Sequence, residues 1–127
     1  MAAPPAGPLA GVTVIDLTAV LLGPLATQIL GDLGADVIKI EPREGDIARA
    51  AGVARHPGMG SLHLAVNRNK RSIVLDLKQP AGAAVLRRLL ARADVLVHNM
   101  RAQAIARLGF DYDAVKAIKP DIVYCAA

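Results

Sequence analysis

Residues 12–41 constrain the fold more than any other stretch. Two β-rich runs, VTVIDL at 12–17 and ADVIKIE at 35–41, lie only a helix's length apart. Val and Ile dominate both, and such side chains suit a pleated, buried strand. Between them, Pro24 fits a first helical turn and Gly34 supplies a left-handed stop. Leu25, Ile29 and Leu33 recur at i, i+4 and i+8, which predicts one apolar helix face packed on the sheet. A strand, a helix and a strand in so few residues form a βαβ unit, with parallel strands and a right-handed crossover.

The alternation continues. A third strand is predicted over residues 72–77 (SIVLDL), and Pro80 opens a helix reaching about Arg92. Val85, Leu86, Leu89 and Leu90 make its buried stripe, with Arg87, Arg88 and Arg92 turned to water. DVLVH at 94–98 is a fourth strand, residues 104–108 a short helical turn closed by Gly109, and residues 121–127 a fifth strand. Asp111 is an N-cap for a helix over 112–119 that Pro120 stops. Residues 61–66 read equally as helix or strand. The pattern predicts an α/β fold: a Rossmann-like, doubly wound, mostly parallel sheet with flanking helices. Residues 1–10, rich in Ala, Pro and Gly, form a flexible lead, and residues 11–127 one domain. With one Phe, two Tyr and no Trp, the core must be aliphatic, which suits a parallel sheet covered on both faces.

In such sheets ligands sit at the carboxyl ends of the strands. Those ends carry several cations and few carboxylates, within a formal net charge of +4. NRNKRSIVLDLK at 67–78 holds Arg68, Lys70, Arg71 and Lys78 around an apolar, buried strand. A solvated basic turn is the plainer reading, but Lys78 lies beside the helix start at Pro80, where a phosphate is favoured. That placement points to an anionic ligand. The chain has neither GxGxxG nor GxxxxGK[ST], so a dinucleotide or P-loop site is not indicated. Scarce aromatics argue against single-stranded nucleic acid as partner. His56, His63 and His98 lie far apart and no Cys/His cluster has metal-ligand spacing, so no metal site is expected. The single cysteine, Cys125, reads as a buried strand residue in a reducing compartment. No apolar run approaches a membrane span and the start lacks a signal peptide's basic region, so a soluble, cytoplasmic protein is expected. His98 reads first as a residue topping the sheet. Asp16, Asp76 and Asp94 lie in or beside strands and are expected to be structural, leaving Asp46, in the loop at 42–60, as the plausible substrate-side carboxylate.

Seven stretches together resemble the amino-terminal part of the family III coenzyme A transferases, which also include the α-methylacyl-CoA racemases. They are GVTVIDLTAVLLGP (11–24), LGDLGADVIKIEP (30–42), Gly45-Asp46 with Arg49, NRNKRSIVLDLK (67–78), ARADVLVHNMR (91–101), RLGFDY (107–112) and IKPDIVYC (118–125). The resemblance implies a CoA-binding Rossmann-like segment and, in intact members, a smaller second domain and an interlocked homodimer. Position by position it implies CoA contacts at Val20 and Leu21 (pantetheine), Arg43 (phosphates), Leu75 and Lys78 (adenine and ribose phosphate), Asn99 and Met100 (pantetheine) and Arg107 (diphosphate). Ala102-Gln103 replaces the family's Pro-Gly, and Met100 an aromatic. The family's catalytic aspartate and second domain are expected beyond residue 127, so no catalytic residue is assigned here. CoA and acyl-CoA are expected as substrates, with no permanently bound cofactor, and a carboxylic acid as the partner substrate. CoA transfer is the leading reading; racemisation and a non-catalytic binding module are the alternatives.

Overall fold

The computed structural model describes residues 6–127. Five strands, β1 (Thr13–Leu17), β2 (Asp36–Glu41), β3 (Lys70–Val74), β4 (Val95–His98) and β5 (Val123–Ala126), form one sheet in the order β3-β2-β1-β4-β5. Every pairing is parallel. The helices are α1 (Leu22–Asp32), α2 (Ser61–Val66), α3 (Pro80–Leu90), α4 (Ala102–Arg107) and α5 (Tyr112–Ile118), with a 3-10 helix at Ile47–Ala50. The α/β, doubly wound expectation therefore holds, and residues 61–66 resolve as helix.

The two faces of the sheet differ. On one, Ile15, Leu17, Ile40 and Leu96 pack against Leu86 and Leu90 of α3, Ile105 of α4, Phe110 of the connection that follows and Val115 of α5. This is the main core, aliphatic as the composition requires. The other face holds a smaller cluster of Val14, Ala35, Val37 and Val97 beneath Leu30 of α1. Toward the carboxyl ends that face turns polar: Asp16, Lys39 and Ser72 are register partners across β1, β2 and β3. Glu41 and Lys70 share it, two strand positions away on either side.

That polar layer explains several departures from the sequence reading. The predicted contact stripe of α1 is reversed: Leu25, Ile29 and Leu33 are 38%, 50% and 40% exposed, while Gly23, Pro24, Thr27 and Gln28 are buried. Thr27 turns inward because its hydroxyl donates to Asp16 Oδ2 at 2.6 Å. The third strand starts at Lys70 and stops at Val74, since its partner β2 ends at Glu41. It is an edge strand with its surface largely exposed, not a buried one. Cys125 is exposed, because β5 is the opposite edge and its side of the sheet lies beyond α1.

Other local readings match. Gly34 follows α1 with φ +100°, and a Cβ there would stand 3.0 Å from Ala6 O. Asp111 caps α5, accepting from Ala114 N–H at 2.9 Å. Of the predicted flexible lead, residues 1–5 lie outside the described residues. Leu9 N–H donates to Leu33 O at 3.0 Å, so residues 6–10 are tied to the end of α1. No helix among the described residues is long and apolar enough to cross a membrane.

Candidate ligand cleft

The segments leaving β1, β2, β3 and β4 converge on a cleft of about 680 Å³. Its apolar floor is Leu17, Ile40, Leu75, Leu77, Met100 and Leu108; Ala19, Val20, Pro42, Arg43, Glu44, Asp76, Lys78 and Asn99 form its walls. A second hollow of about 570 Å³ continues from it, sharing Leu77, Lys78, Met100 and Leu108 and adding Gln79, Pro80, Ala83, Ala104 and Arg107. The structure thus brings together Val20, Arg43, Leu75, Lys78, Asn99, Met100 and Arg107. Leu21 is the exception: it is the residue before α1 and lines neither hollow.

Lys78 is placed by the turn after β3. Asp76 accepts from Lys78 N–H at 3.0 Å, and its carbonyl accepts from Gln79 N–H at 3.1 Å. Helix α3 then passes so close that a Cβ on Gly82 would lie 2.2 Å from Asp76 O, which restricts position 82 to glycine. Among the described residues no side chain caps the start of α3, whose first residue, Pro80, has no N–H, so the following amides have no side-chain acceptor beside Lys78. Arg43, Lys78 and Arg107 are in no ion pair among the described residues. Against them stand the exposed Glu44 and Asp76 on the rim.

The rest of the basic run is not at the cleft. Arg68 and Arg71 pair with Asp32 and Asp36, at the amino-terminal end of the strands. Lys70 is buried, donating to Asp16 Oδ2 at 3.0 Å, Pro24 O at 2.8 Å and Asn67 Oδ1 at 2.8 Å. The strand direction decides this: residues that begin β3 stand at the end opposite to those that leave it. Asp46 is likewise not on the substrate side. It is buried in an ion pair with Lys39 at 2.9 Å and caps the 3-10 helix through Ala48 N–H at 2.9 Å. Burial alone would raise its pKa, but the Ala48 amide, Lys39 and the Val20 amide hold it below the usual carboxylate value. Asp94 accepts from Thr13 N–H and Asp16 from Thr18, so both are structural as expected. Asp76 is structural too, but in a turn and not in a strand.

Glu41 shows the strongest case of such holding. Arg49 grips it with two bonds of 2.7 and 2.6 Å, and Ser72 Oγ and Asp46 N–H complete its shell. Burial pushes its pKa up, yet Arg49, Ser72 and the Asp46 amide outweigh this and bring it down to about 2. The folded value lies below the unfolded one of 4.5, so the stabilisation is full above pH 4.5 and is lost as pH falls toward 2. Its size is on the order of 3 kcal/mol. Glu41→Gln is expected to flatten the acid limb of stability against pH in that window, as followed by urea unfolding.

His98 tops β4 as expected, buried, with Nδ1 accepting from Met100 N–H at 3.2 Å and no partner at Nε2 among the described residues. Burial pushes its pKa down, which keeps the ring neutral. Among the described residues no group of three or more His, Cys, Asp or Glu is placed to hold a metal ion.

The sequence did not disclose the backbone of residues 18–20. Val20 has φ +76°, rare for a β-branched residue and costing on the order of 1–3 kcal/mol. The available signals were Asp46 just ahead of a short helical run, and the polar Thr18; neither reports what they grip.

A family model described as CoA-transferase family III matches residues 9–127. Succinate–glutarate CoA-transferase of Agrobacterium fabrum is 45% identical over 126 residues, covering 94% of this chain and 32% of that protein. Formyl-CoA:oxalate CoA-transferase of Streptomyces coelicolor is 46% identical over 119 residues, covering 93% and 29%. The crystal structure of a CAIB/BAIF family protein from Brucella suis superposes with a TM-score of 0.89 at 41% identity, over 94% of this chain and 33% of that one. The chain spans about a third of the length of these relatives.

Proposed function

We propose that this chain, which belongs to CoA-transferase family III, supplies the coenzyme A-binding part of an enzyme that moves CoA between an acyl-CoA and a carboxylic acid. The observation that carries this reading is the cleft: an apolar floor flanked by three cations that have no ionic partner among the described residues. A nucleotide carrier with phosphates at one end and an aliphatic amide chain at the other needs both features. Val20, Asn99 and Met100 would meet the pantetheine, Arg43, Lys78 and Arg107 the phosphates, and Leu75 the adenine. The acyl-transfer nucleophile, a carboxylate that passes through a mixed anhydride and an enzyme thioester, belongs to the length of the relatives that this chain does not span. The smaller domain and the interlocked homodimer are proposed for that longer form. The relatives reported above are named as CoA-transferases, which favours transfer over racemisation.

Calorimetric titration with CoA tests the reading. Saturable binding is expected, weakened about tenfold between roughly 0.05 and 0.5 M salt as the phosphate contacts are screened. A folded chain that takes up no CoA, or binds it independently of salt, contradicts it.

A further inference from the structure

Three successive residues, of which Ala19 and Val20 line the cleft, direct backbone polar groups to side chains and not to the sheet. Thr18 N–H donates to Asp16 Oδ1 at 2.8 Å, and Thr18 O accepts from Lys39 Nζ at 2.8 Å. Ala19 is held from both sides by Asn99, whose Oδ1 accepts from Ala19 N–H at 3.0 Å and whose Nδ2 donates to Ala19 O at 2.8 Å. Val20 N–H donates to Asp46, at 3.1 Å to Oδ1 and 3.3 Å to Oδ2. A left-handed β-branched residue persists only where its surroundings over-determine it. Here the restraint comes from four side chains on four separate segments.

We propose that Asp46 and Lys39 are positioning residues for the ligand: from beneath the cleft they fix residues 18–20 as a rigid wall, without touching the ligand themselves. The proposal rests on the CoA-binding reading given above. Both side chains are almost fully buried, at 1% and 2% exposure, and neither lines the cleft. Ala19 and Val20 do line it. Lys39 Nζ bridges Thr18 O and Asp46 Oδ2, so the pair grips both ends of the tripeptide at once. Asp46 therefore reaches the cleft wall directly at the Val20 amide and, through Lys39, at Thr18 O.

That routing gives a test that a general loss of stability does not imitate. Asp46→Ala is expected to weaken CoA binding about tenfold, because the Val20 amide loses its acceptor and the strained conformation loses its restraint. In a Val20→Gly background, glycine occupies the left-handed region without strain, so the same Asp46→Ala step is expected to cost less than about twofold. Equal losses in the two backgrounds, or none in either, overturn the proposal. Asp46→Asn keeps the volume and an acceptor, and carries the same cycle with smaller losses if the alanine variant fails to fold. Hydrogen exchange supplies a readout without ligand: the Val20 amide is expected to be slow in the parent, fast in Asp46→Ala and intermediate in Asp46→Asn. If the parent binds no CoA, the functional reading fails, while this exchange result still decides whether Asp46 restrains the Val20 backbone. A Val20 amide that exchanges fast in the parent overturns it.

Discussion

Asp16→Ala is expected to destabilise the fold by about 3–5 kcal/mol, the cost of leaving a buried charge without its partner. Asp16 lies fully buried at the centre of the sheet and receives Lys70 Nζ, Thr27 Oγ1 and both donors of Thr18. Removing it strands the Lys70 ammonium beneath α1, with only Pro24 O and Asn67 Oδ1 left. Burial already pushes the Lys70 pKa below 10.5, opposed by Asp16. Without that opposition it falls further. The folded value then lies below the unfolded one, so the unfolded chain binds more protons in the window between them, and stability rises with pH there. Urea unfolding of the variant is therefore expected to show a deep loss at neutral pH that is partly regained toward pH 10.5. A loss under about 1 kcal/mol, or no such recovery, contradicts the ion-pair account.

Charge reversal at the cleft rim carries the largest expected effect on binding. Lys78→Glu and Arg107→Glu are each expected to weaken CoA binding about 10- to 100-fold, the equivalent of a charge-assisted hydrogen bond lost and a repulsion gained. The double variant should lose both effects and most of the salt dependence. Arg68→Glu and Arg71→Glu are the contrasting pair. Their guanidinium groups pair with Asp32 and Asp36 at the far end of the strands, so their effect on affinity should stay within about twofold. Equal losses from both pairs of variants contradict the placement of the site.

That contrast marks where the sequence was legible. The βαβ units could be read because β-branched runs, Pro24, Pro80, Gly34 and Asp111 act locally, through propensity, capping and chain reversal. Lys78 could be placed because it follows a strand end, whereas Arg107, the last residue of α4, came to the site only through the family resemblance. Arg68, Lys70 and Arg71 could not be separated from Lys78 by charge alone. Which end of β3 they occupy depends on a strand that begins two residues earlier than the apolar run suggests. The Leu25, Ile29, Leu33 stripe had helical period, but period does not say which way a helix faces when the sheet beneath it is polar. The ion pairs Lys70–Asp16 and Lys39–Asp46 are set by cross-strand register and loop return, so no local pattern announces them. Val20's left-handed backbone follows from those pairs and was hidden with them.

The central claim is that the anionic ligand lies where the strands end and not along the basic run that precedes β3. A footprint of amide hydrogen exchange with and without CoA tests it directly. Protection is expected at residues 18–20, 42–44, 75–80 and 99–108, with residues 67–71 unchanged. Protection centred on 67–71, with 75–80 and 99–108 unaffected, would contradict it.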